Sequence, residues 1–226
     1  VYDGHGGQRA ADYVKATLHD NVLRTAAWKK GDVRQALLDG FEKTDVDLLE
    51  LCKQGEWSDG ATGVVALVLD DTLWVANVGD SELVLGVRDG DELKAVCKTV
   101  KHKPSDKDEK ARIQEAGGVV LFDRLGAQMA VSRSFGDMNH KAPFNGCEQN
   151  HMSAVPFIDS MPLAGVEFMI VACDGLWDKF EYDDAVSFVR NERAAGKDAQ
   201  QIAQALTQEA LDRDTTDNVT VIVVLM

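Results

Sequence analysis

Four apolar runs between Ala61 and Val100, joined by very short links, constrain this chain more than any other feature. Val64–Leu69 and Leu73–Val78 are separated by little more than Asp70-Asp71, and Leu83–Val87 and Leu93–Val100 flank Arg88-Asp89-Gly90-Asp91. A parallel crossover takes about a dozen residues or more, so these links predict an antiparallel meander. Neighbours such as Val64-Val65 and Trp74-Val75 are both apolar. Strands without polar alternation are expected to be covered on both faces, by a second sheet or by helices.

The flanking sequence supplies those helices. Ala10, Ala11, Val14, Leu18 and Val22 recur at near-helical spacing and predict a helix over 8–23. Gly31-Asp32 opens a second helix that runs to the neighbourhood of Gly55, with Leu37, Leu38, Phe41, Leu48 and Cys52 on its apolar stripe. Further helices are predicted at 106–116, 182–193 and 198–213, and strands at 119–122, 129–131, 166–173 and 219–225. Residues 138–160 carry Pro143, Gly146 and Pro156 without a sustained period and predict a long irregular excursion. The expected fold is α+β, a four-layer α-β-β-α sandwich of two mainly antiparallel sheets flanked by helices. At 226 residues a single domain, 1–226, suffices.

Charge narrows the function classes. The chain has 38 acidic and 24 basic residues, a net charge of −14, which argues against a nucleic-acid partner. The four cysteines, Cys52, Cys97, Cys147 and Cys173, show no metal-binding spacing and predict reduced thiols of an intracellular protein, cytoplasmic or nuclear. No apolar run is long enough to cross a membrane.

Three aspartates share one grammar. Asp3 follows Val1-Tyr2, Asp174 follows the run Phe168–Cys173, and Asp217 precedes the run Val219–Val224. Each stands at a predicted strand end beside Gly4, Gly175 or Asn218. Singly, such residues are ordinarily turn formers. Converging at one end of a sandwich, they would form an oxygen-rich cage suited to magnesium or manganese rather than zinc. Two such ions could activate a water and clamp a phosphoryl group.

The chain resembles the metal-dependent serine/threonine protein phosphatases of the type 2C family. The stretches that carry the resemblance are YDGHGG (2–7), VANVGDSELVL (75–85), HKPSDKDEKARIQEAGG (102–118), AVSRSFGD (130–137), VACDGLWD (171–178) and TDNVTVIVV (216–224). The resemblance implies hydrolysis of phosphoserine and phosphothreonine on proteins by a water activated between two ions, with no phosphoenzyme. Asp3 would bridge both ions, the Gly4 carbonyl would hold one, and Asp174 and Asp217 the other. His5 would be the general acid, Asp178 part of a weak third site, and 138–160 a variable flap. A monomer acting on phosphorylated proteins is expected. The alternative is a weak or inactive pseudophosphatase that serves as a binding scaffold. Asp80 and Asp137 are expected to fix turns, Arg133 to anchor structure, Trp177 to lie in the core and Cys173 to be an inert buried thiol.

Two departures qualify the resemblance. Upstream strands, a phosphate-gripping arginine and an acidic pair of the family have no counterpart in these residues, so the natural chain is expected to begin earlier. Lys101 stands where the family has an aspartate before its HKP motif. An ammonium there would repel a third ion, and could partly replace its charge, or it could be an ordinary solvated lysine.

Overall fold

The computed structural model describes all residues, Val1–Met226. In chain order its elements begin with β1 (Tyr2–His5), α1 (Arg9–Arg24), α2 (Ala26–Lys29), α3 (Val33–Gly55), β2 (Gly60–Leu69), β3 (Thr72–Val78), β4 (Glu82–Asp89) and β5 (Glu92–Cys97). There follow α4 (Lys107–Glu115), β6 (Val120–Leu121), β7 (Arg124–Leu125), β8 (Phe135–Gly136), β9 (Phe157–Pro162), β10 (Val166–Ala172), α5 (Asp174–Trp177), α6 (Tyr182–Ala194), α7 (Ala199–Asp212) and β11 (Val221–Leu225).

One sheet has the order β1-β2-β3-β9, with β8 added on β2, and the other the order β11-β10-β4-β5. Both are antiparallel throughout. Between them lies a layer of aliphatic side chains, including Val64, Val75, Leu83, Leu85, Met169 and Val171. On the outer face of the first sheet, Val14, Leu18 and Val22 of α1 and Leu37, Phe41 and Leu48 of α3 close a second core. On the outer face of the second, Val186 and Val189 of α6 and Ile202 and Leu206 of α7 pack on Phe168 and Ile170. The four-layer sandwich expected from the sequence is therefore the observed architecture.

The helices begin and end for local reasons. The Asp32 carboxylate accepts the Gln35 amide at 3.0 Å and starts α3, which stops at Glu56 in the left-handed region. Asp198 and Gln201 cap α7 reciprocally in a capping box.

The differences from expectation lie in the connections. The four runs of 61–100 are two hairpins in two sheets, not one meander. The chain crosses from β3 to β4 at a corner where Gly79 has φ +88°, a conformation that disfavours side chains. The end of 138–160 is not irregular, because β9 pairs along β3 from Thr72 to Asn77. Residues 129–131 make only an isolated bridge, Leu125 to Met129. The predicted strand 119–122 is a short β6–β7 hairpin whose tip, Phe122-Asp123, has positive φ at both positions. The short helices α2 and α5 fall below the length at which periodicity is visible.

Candidate active site

Acidic residues from both sheets meet at one end of the stack. Asp3 lies within β1, opposite Thr62 of β2. Asp174 opens α5 directly after β10, and Asp217 stands in the segment that leads into β11, the neighbour of β10. Asp80 occupies the corner between β3 and β4. These four carboxylates, with Gly4, His5 and Thr62, line a single open cavity of about 470 Å³. Three of the predicted aspartates are thus brought together. Asp178 is not among the lining residues; it is exposed at the end of α5.

The tightest group is Asp3, Cys173 and Asp174, whose ligand atoms lie within 4.8 Å of one another. The Cys173 thiol is not free for a soft cation. It donates to the Asn218 carbonyl at 3.3 Å and accepts the Thr220 amide at 3.2 Å, and burial raises its pKa. Asp174 differs, because its Oδ1 is buried with no hydrogen-bond partner. A buried carboxylate oxygen without a donor is costly and needs a counter-charge. Burial, then the charges of Asp80, Asp3, Asp217 and Asp178, push the Asp174 pKa up to about 7. Asp3 is likewise raised by burial, partly offset by its hydrogen bond with Asp174. A divalent cation bound through hard oxygens fits this donor set and would relieve both the orphaned atom and the repulsion.

His5 reaches the same cavity from the end of β1. Its Nε2 lies 2.9 and 2.8 Å from the two carboxylate oxygens of Asp137. Burial pulls the His5 pKa down, but the hydrogen bond and charge of Asp137, with Asp3 and Asp80 beyond, outweigh it and leave the pKa raised. Asp137 does fix a turn, at φ 51°, as expected, and in addition holds the imidazole.

Asp80 also does more than shape a turn. The HKP residues brace it, since Lys103 pairs with its carboxylate and His102 Nδ1 accepts the Gly79 amide at 3.2 Å. His102 can accept because burial, with Arg133 nearby, pulls its pKa down to about 4. Arg133 is structural, as predicted, bound to Glu109 and to the Val155 carbonyl. Trp177 is buried in the core beneath α6 and α7 and donates to the Ala172 carbonyl. Arg124, from the β6–β7 hairpin, is the one arginine or lysine lining the cavity. No spacing in the sequence marks Arg124, whereas Asp80 repeats the strand-end pattern of the other three, after Val78-Gly79.

Lys101 is only partly exposed, and it is not free. Its ammonium forms a 3.0 Å ion pair with Glu82, which is 1% exposed and accepts the Tyr182 hydroxyl on its other oxygen at 2.5 Å. Asp178 and Asp80 lie within the reach of the same charge. An ammonium held beside those carboxylates would oppose a third cation at Asp178.

The family model for protein phosphatase 2C matches residues 1–219. The chain belongs to the protein phosphatase 2C family. Among curated relatives, it is 38% identical over 234 residues to protein spalten of Dictyostelium discoideum, covering 100% of this chain and 23% of that protein. It is 39% identical over 243 residues to probable protein phosphatase 2C 8 of Arabidopsis thaliana, covering 100% and 67%. With protein phosphatase 2C homolog 2 of Aspergillus fumigatus the identity is 37% over 232 residues, covering 99% and 53%. The chain thus spans between about a quarter and two thirds of the length of these relatives. In fold it is similar to a serine-threonine phosphatase 2C from Toxoplasma gondii, with TM-score 0.87, 24% identity and coverage of 99% and 83%.

Proposed function

We propose that this member of the protein phosphatase 2C family hydrolyses phosphoserine and phosphothreonine esters on proteins, with two magnesium or manganese ions and no phosphoenzyme. The observation that carries the reading is the buried, partnerless Oδ1 of Asp174, set among Asp3, Asp80 and Asp217 in one cavity. Relatives named as protein phosphatases, matched along the whole chain, support the reaction class.

Asp3, with the Gly4 carbonyl, and Asp174 with Asp217 would hold the ions. When bound, such ions supply Lewis-acid activation of water and neutralise phosphoryl charge. The rest falls to the chain itself. Asp3 and Asp174 rest on backbone fixed by β1 and β10, so their spacing is set before the ions arrive. Lys103 holds Asp80 from behind. His5, with its raised pKa and half-buried ring, is placed to donate a proton to the departing seryl or threonyl oxygen. No helix of the structure is long and apolar enough to cross a membrane.

The test is phosphate release from a phosphoserine peptide by the full natural protein, with manganese or with chelator. Release that requires manganese supports the reading. Folded protein that releases no phosphate in either condition would make it a binding scaffold instead.

A further inference from the structure

The most constrained side chain at the cavity that no metal role uses is Asp137. It is 4% exposed, and both carboxylate oxygens stand within hydrogen-bond distance of His5 Nε2. The Ser134 hydroxyl donates to its Oδ2, and its own amide donates to the Asp59 carbonyl at 3.1 Å. The preceding residue is fixed as well, since the Gly136 amide donates to Asp45 at 2.8 Å and Asp45 is paired with the buried Lys141. Across from this turn, a Cβ on Gly60 would sit 2.3 Å from both Asp137 Oδ2 and His5 Nε2. The backbone of β2 thus leaves room for this contact and for nothing larger.

We infer that Asp137 is a positioning residue for His5, selecting the ring nitrogen from which the proton leaves. A carboxylate only accepts, so the hydrogen on Nε2 is committed to Asp137. The proton for the substrate must then sit on Nδ1, on the other side of the ring, while Asp137 stabilises the imidazolium and prevents the ring from turning over. In the reaction, water oxygen bonds to phosphorus and the ester P–O bond breaks with its electron pair on the seryl oxygen. That oxygen takes the proton from Nδ1. One water proton stays on phosphate, and the other returns through solvent to the imidazole. Nε2–H never leaves Asp137. The inference rests on the general-acid reading of His5.

Leaving-group dependence separates this role from a structural one. An alkoxide needs the proton, whereas a nitrophenolate departs without it. The ratio of kcat for a phosphoserine peptide to kcat for p-nitrophenyl phosphate, both in manganese, is the readout. In Asp137→Asn the ratio is expected to fall at least about tenfold, in the same direction as His5→Gln. Ser134→Ala, which removes only the hydroxyl that orients Oδ2, should lower it less, and keeps the test alive if Asp137→Asn does not fold. A general loss of packing would lower both rates together and leave the ratio unchanged. A fallen ratio in His5→Gln with unchanged ratios in Asp137→Asn and Ser134→Ala overturns the inference and spares the role of His5. An unchanged ratio in His5→Gln overturns both.

Discussion

Replacing Asp174 with asparagine is expected to stabilise the metal-free protein while abolishing its response to metal. The two effects have one source. Burial and four neighbouring carboxylates push Asp174 up to about 7, so the folded chain binds a proton more tightly than the unfolded chain does. Metal-free stability must therefore fall as pH rises from the ordinary carboxylate range through about 7. Asparagine carries no charge, so that penalty vanishes. On the proposed reading, the same change removes a metal ligand. Even groups that only orient a metal ligand typically cost about 10- to 100-fold in affinity, so the loss at Asp174 itself should be at least about 100-fold. Thermal unfolding at pH 8 is the measurement. In chelator the variant should melt above the parent, and the gap should shrink at pH 5. In manganese the parent should rise and the variant should not. Equal manganese shifts in the two proteins would remove Asp174 from the metal site.

The contrast between Asp174 and Asp137 shows what was legible in the sequence. Strand-end aspartates beside glycine or asparagine are a local pattern, and Asp3, Asp174 and Asp217 did converge. The layers were also legible, because short links force antiparallel pairing and apolar runs force coverage on both faces. The partner of each polar residue was not. Asp137 meets His5 across 132 positions, and Lys101, in the loop after β5, meets Glu82 at the start of β4. Such pairs have no spacing to betray them; they exist only once the strands pair, β1 and β8 on β2 in one case and β5 on β4 in the other. The β3–β4 crossing was hidden for a related reason. A tight corner between sheets and a hairpin within one use the same glycine and aspartate, and only the packing of Leu83 and Leu85 against Val64 and Val75 distinguishes them.

Lys141 makes the same point through stability. It is 0% exposed, and its ammonium donates to both oxygens of Asp45 at 2.7 Å and to the Ser134 carbonyl at 2.8 Å. Asp45 belongs to α3, so the pair ties the segment after Met138 to the first helical layer. Breaking a buried pair from one side costs about 3–5 kcal/mol, since the remaining charge loses its counter-ion without regaining water. Lys141→Met is expected to show that loss in urea unfolding. For a chain of this size it corresponds to a fall of roughly 6–20 °C in Tm, at about 2–4 °C per kcal/mol. Adding Asp45→Leu should recover part of the loss, because a well-packed apolar pair can replace a buried ion pair. Recovery should stay incomplete here. Asp45 also accepts the Gly136 amide at 2.8 Å, and leucine leaves that donor buried without a partner. A loss below about 1 kcal/mol in Lys141→Met would mean that water reaches Asp45 and that the ion pair does not anchor the turn holding Asp137.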